Sequence, residues 1–70
     1  MTELPATSRD HDPVSRTGSV LLDDGTTLSY SAEAFDAGGL RLLRPGQRVR
    51  LRVDPAWTVT AVTLASFDLP

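Results

Sequence analysis

The clearest pattern along the chain is the alternation R-V-R-L-R-V over Arg48–Val53. Val49, Leu51 and Val53 share one face of an extended segment, and Arg48, Arg50 and Arg52 share the other. That is the period-two signature of a half-buried strand. Residues 26–30 (T-T-L-S-Y) form a second extended segment, rich in β-branched and aromatic residues. Residues 18–22 (G-S-V-L-L) predict a strand before it. Asp23-Asp24-Gly25 between the two signals a hairpin, because Asp and Gly tolerate positive φ in tight turns. Residues 58–64 predict the last strand; its inward set changes parity between Val59 and Val62, which places a bulge near Ala61. Ser31 is a natural N-cap for one helical turn over residues 31–35, with Glu33 near the positive helix end and Ala37-Gly38-Gly39 ending it. Pro45-Gly46 and Asp54-Pro55 supply further turns. Short strands with turns every 8–12 residues or about that predict an all-β fold. The expectation is a small antiparallel barrel of four or five strands with one short helical turn, since closure hides strand edges that so small a domain has few other ways to cover.

Residues 1–15 hold Pro5, Pro13, Ser8, Asp10 and Asp12 without helical or strand periodicity. They read as a disordered tail ahead of a single domain over residues 16–70. His11 falls in this tail with no partner that would make it catalytic or a metal ligand. The 70 residues suit one domain, and 40% hydrophobic with 23% charged residues is ordinary for a globular chain. There is no cysteine, so neither disulfides nor a cysteine metal site can staple the fold; this fits a cytoplasmic protein. No apolar run approaches the roughly 18 residues of a membrane span, and the first 13 residues lack the apolar stretch of a signal peptide.

The formal net charge of −2 argues against strong general affinity for nucleic acid. Its distribution changes the picture. All seven basic residues are arginine, and five of them (Arg41, Arg44, Arg48, Arg50, Arg52) lie between Leu40 and Val53 with no acid among them. A local positive patch on an acidic protein is one reading; exposed strand positions taking long charged side chains is the other. The Asp23-Asp24 pair has no third ligand or histidine beside it, so it reads as a solvated turn.

These pieces occur in an order that resembles a bacterial cold-shock domain, a five-strand barrel of the OB-fold type. Gly18-Ser19-Val20 looks like the family's opening G-x-V, Asp23-Asp24-Gly25 like its D-D-G turn, and Ser31-Ala32 like its S-A step. Leu43 with Gly46-Gln47-Arg48-Val49 looks like its L-x-x-G-Q-x-V. The similarity covers about residues 16–64. It implies an OB-like (cold-shock-like) barrel and a single-stranded nucleic acid partner. The departures are large: the aromatic K-W-F-N…K-G-F-G-F-I segment has no counterpart, Thr27 and Ser29 stand at the family's outward Phe and His, and Leu40 stands where many relatives carry a stacking Phe.

Base–aromatic stacking contributes about 1–3 kcal/mol per base, so the losses predict weak binding. On this reading Tyr30 stacks on a base, Leu40 gives an apolar contact, Thr27 and Ser29 line the platform, and Arg16, Arg41 and Arg44 meet phosphates. Tyr30 shares parity with Leu28, so the sequence leaves open whether its ring stacks or fills the core. Phe35, Trp57 and Phe67 are assigned to core or cover. The alternative is a non-catalytic protein-interaction module on a degenerate OB-type barrel, since a fold alone does not choose a function. No cofactor is expected and a monomer is favoured. An enzyme is not expected: no cysteine nucleophile, no serine elbow and no Gly-rich phosphate loop opening a helix is present.

Overall fold

A computed structural model describes residues 2–66. Five strands run in the chain order β1 (Thr2–Asp12), β2 (Thr17–Leu22), β3 (Thr27–Tyr30), β4 (Arg48–Val53) and β5 (Val59–Leu64), with α1 (Ala32–Ala37) between β3 and β4. They close into a barrel in the order β1-β2-β3-β5-β4. All pairings are antiparallel except β3 with β5, which meet in parallel at Tyr30 and Val59. This is an OB-like barrel. Ser31 caps α1 as expected, its hydroxyl accepting from the Ala34 backbone N–H at 3.2 Å. Ala34 and Phe35 are buried, and α1 packs against β5. Gly38 allows that approach: a Cβ there would collide with the Val62 carbonyl.

The alternation on β4 places Val49, Leu51 and Val53 in the core with Val20, Tyr30, Phe35, Leu43, Val59 and Val62. The expected bulge in the last strand is present one residue away. Arg52 pairs with Ala61 but Val53 with Val59, so Thr60 is extra, and its hydroxyl donates to the Arg52 carbonyl at 3.1 Å.

The N-terminal expectation is corrected. Residues 2–12 form β1, which pairs with both β2 and β4. Leu4, Ala6 and Ser8 turn inward, and Arg9 is a bulge between Ser8 and Asp10 that shifts the register. Pro5 is tolerated because residues 2–5 pair with β4 alone, leaving an edge where a missing N–H has no partner to lose. The first hairpin is therefore present, and Gly18-Ser19-Val20 belongs to its second strand. Its turn is held by Asp12, whose Oδ1 accepts from the N–H groups of Val14 (2.9 Å) and Ser15 (3.4 Å). Those two bonds hold the Asp12 carboxyl below the usual carboxylate range.

Two outcomes follow. Deleting residues 1–8 opens the barrel along both β2 and β4, so cooperative thermal unfolding followed by circular dichroism should disappear; an unchanged melting temperature would restore the tail. Leu51→Ala should cost about 2–5 kcal/mol in denaturant titration, because the residue is fully buried.

Candidate functional site

The outer face of β2 and β3 is where the sequence placed a binding platform. Cross-strand pairing sets Ser19 opposite Ser29 and Leu21 opposite Thr27; on the other side of β2, Asp10 faces Ser19 and Thr7 faces Leu21. Thr27 and Ser29 are exposed, as expected. Ser19 donates to the Asp10 carboxylate at 3.0 Å. Leu21, 41% exposed, is the one large apolar side chain on this patch. The face is lined with hydroxyls and holds no aromatic ring among the described residues.

Tyr30 does not serve that face. It is 4% exposed and belongs to the core. Its parity with Leu28 turns it inward, opposite Gly18. A Cβ at Gly18 would collide with the Tyr30 hydroxyl and the Asp10 carbonyl, so glycine makes the room. The hydroxyl lies 2.7 Å from His11 Nδ1 and 3.4 Å from the Asp10 carbonyl. The rings of His11 and Phe35 pack with centroids 4.5 Å apart, and Tyr30 stacks alongside both. His11 is thus part of an interior aromatic stack rather than a tail residue without a partner. Its Nε2 is buried with no hydrogen-bond partner among the described residues. Burial first, then the Asp10 charge, pushes the Tyr30 hydroxyl up to about 12. Leu40 is half-buried and packs against the core, so it is not the outward apolar contact expected of it.

The arginines divide into two groups. Arg16, in a left-handed turn position (φ 61), grips Asp36 with two bonds of 3.0 and 3.2 Å. Arg48 meets Asp23 at 2.9 Å and also donates to the Thr7 hydroxyl at 3.0 Å. Its hydrogen bond is the main cause holding the Asp23 carboxyl below its usual range. Arg52 pairs with Glu3 at 3.5 Å, and Arg50 donates to the Ala65 carbonyl at 3.3 Å. Two of the three β4 arginines, Arg48 and Arg52, are therefore offset by acids, one from the β2–β3 turn and one from β1. Arg9, Arg41 and Arg44 are exposed and form no ion pair with a described residue. The loop carrying Arg41 and Arg44 is stitched to β1 beside Arg9: Ser8 donates to the Gln47 carbonyl and Gly46 to the Ser8 carbonyl, both at 2.8 Å. Arg9 and Arg44 thus flank one basic corner, and Arg41 lies on the same loop.

At the turn end of the barrel stands Trp57, 55% exposed rather than core or cover. It borders a cleft of about 360 Å³ lined by Leu22, Asp24, Thr26 and Leu28. A smaller one of about 190 Å³ adjoins it, lined by Leu4, Pro5, Leu22, Asp23, Asp24 and Trp57. Phe35 is buried as assigned, and Phe67 lies outside the described residues. Sequence reasoning missed Trp57 although a signal was there: it follows Asp54-Pro55, two residues beyond a strand break, where no period-two pattern turns it inward. Arg9 had no such signal, because its strand was not apparent.

Among the described residues no group of three or more His, Cys, Asp or Glu is placed to hold a metal ion, and no helix is long and apolar enough to cross a membrane. No protein-family model, no curated protein and no solved structure matches the chain.

The buried phenol gives a pH prediction. Its pKa in the fold lies above the ordinary value of 10.0, so the native state holds this proton more tightly than the unfolded chain. The resulting stability is fully present below about pH 10 and is lost as pH rises toward 12, by roughly 2–3 kcal/mol in all. Since Tyr30 is the chain's one tyrosine, tyrosinate absorbance should appear near pH 12 together with unfolding. A tyrosinate titration near pH 10 on intact protein would show the hydroxyl to be open to solvent.

Proposed function

We propose that the chain is a non-catalytic barrel that binds single-stranded nucleic acid weakly and with little sequence preference, through charge and hydroxyl contacts instead of base stacking. One observation carries this reading: Arg9, Arg41 and Arg44 are exposed without acidic partners among the described residues on a protein that is otherwise acidic, and the loop carrying Arg41 and Arg44 is hydrogen-bonded to β1 at Ser8, next to Arg9. Guanidinium groups suit phosphate oxygens. Thr27 and Ser29 are exposed hydroxyls that donate or accept hydrogen bonds. Arg16 belongs to the contact set only when phosphate displaces Asp36; both partners are about half exposed, so the pair holds weakly. The order of the D-D-G, S-A and G-Q steps supports a cold-shock-like reading, because they fall at the β2–β3 turn, the cap of α1 and the entry to β4. A cytoplasmic setting is part of this proposal.

A second reading, a non-catalytic protein-interaction module, is favoured by a different observation, the apolar cleft beside Trp57.

The experiment is a salt series on a short oligonucleotide followed by backbone NMR. Three phosphate contacts predict a slope of log K against log salt of about −2 for a single strand, with affinity roughly micromolar or weaker. Arg41→Ala should reduce the slope by about 0.7. Shift changes should map to residues 9, 41 and 44 and to the outer hydroxyls. Absence of any shift change at low salt would end the nucleic-acid reading.

A further inference from the structure

Trp57 occupies an expensive position. Its φ is 65, in the left-handed region where a bulky side chain is an outlier and where glycine or asparagine sits without strain. The surrounding turn enforces that conformation. Asp54 Oδ1 accepts from the N–H groups of Ala56 (3.0 Å) and Thr58 (2.9 Å), the Trp57 N–H donates to the Asp54 carbonyl at 2.9 Å, and the Asp54 N–H donates to the Thr58 carbonyl at 3.0 Å. Four hydrogen bonds thus hold an indole half out of the barrel. Core packing does not require this, since the ring is 55% exposed. Backbone strain maintained by its surroundings around an exposed aromatic is the signature of a contact residue.

The surface beside the ring has a definite chemistry. Leu22, Leu28 and Leu4 give both clefts an apolar floor, and Trp57 borders both. The larger volume, about 360 Å³, falls in the range of small-ligand pockets. The rim is acidic, with Asp23 and Asp24 and no basic residue among the lining groups. Asp23 is committed to Arg48, whereas Asp24 spends one oxygen on the Thr26 N–H at 2.9 Å and has no ion pair with a described residue. Phosphates are repelled here. A cation beside an apolar group is attracted both by the carboxylate and by the face of the indole.

We infer that the cleft beside Trp57 is a docking site for an extended peptide segment of a protein partner that presents an aliphatic side chain next to Arg or Lys. This deepens the protein-interaction reading and does not depend on nucleic-acid binding, which uses the opposite charge at the Arg9–Arg44 corner.

The test uses the full chain and the blocked peptides Leu-Arg-Leu-Arg and Leu-Glu-Leu-Glu. Trp57 is the chain's one tryptophan, so its emission reports the site directly. The arginine peptide should blue-shift the emission saturably and bind more tightly than the glutamate peptide by about tenfold. Asp24→Asn should shrink that difference. Trp57→Gly should abolish binding, read from the Leu22 and Leu28 methyl resonances. It should also leave the melting temperature unchanged or higher, because glycine relieves the φ strain. Oligonucleotide binding at the basic corner should survive this substitution, so loss of one activity is separable from loss of the other. Three results would overturn the inference: a melting temperature lowered by Trp57→Gly, which makes the ring a core cover; emission that shifts with protein concentration alone, which makes a second copy the occupant; and emission moved by oligonucleotide but by neither peptide.

Discussion

The structure depends on β1 hydrogen-bonding to two strands at once. Its first half pairs with β4 and its second half with β2, and Ala6 and Thr7 pair on both sides: Ala6 with Leu22 and Val49, Thr7 with Leu21 and Arg48. Ala6 is fully buried at this crossing. A larger side chain there would press into a filled interior, where overpacking costs about 1–3 kcal/mol. Just beyond, within the pairing to β2, Arg9 bulges out and shifts the register by one residue. The loop before β4 extends the ladder to Ser8 and thereby fixes where Arg41 and Arg44 emerge. The closure that buries the core thus also assembles the basic corner.

The legible parts of the fold were those whose pattern is local. Arg48–Val53 alternates without interruption, and its limits agree with β4. The turn at Asp23-Asp24-Gly25 and the cap at Ser31 are set by chemistry within a few residues, and both are present. β1 was illegible because nothing local announces it. Its inward positions include one large aliphatic, Leu4, with Ala6, Ser8 and His11, and the bulge at Arg9 breaks the parity that would have joined them. Its hydrogen-bond partners on one side, residues 48–53, lie more than forty positions away. Long-range pairing supplied what composition lacked.

The same limit explains the missed site residues. A barrel of this size encloses one interior, and His11, Tyr30 and Phe35 fill part of it as a single stack of rings. Tyr30 was ambiguous by parity, and the space opened at Gly18 decided it. With those rings drawn inward, the β2–β3 face keeps serine and threonine. Stacking energy, about 1–3 kcal/mol per base, is absent from it. Any affinity for nucleic acid therefore rests on charge, and three of the seven arginines are already compensated: Arg16, Arg48 and Arg52 each meet an acid.

Compensation is what divides the surface. Two of the three β4 arginines, Arg48 and Arg52, meet acids from the β2–β3 turn and from β1, so that flank is largely compensated. Arg9 and Arg44, without acidic partners among the described residues, stand where β1 bulges, and Asp24, an acid with no ion pair to a described residue, stands beside the one exposed aromatic ring among them. The Arg48–Asp23 pair lies between these regions, with Arg48 on the flank of β4 and Asp23 on the rim of the cleft. Being exposed, it is screened by salt and couples them weakly. The two regions therefore differ in sign of charge, and the two ligands proposed for them, an anionic chain and a cationic peptide, would each be drawn to one region and repelled by the other.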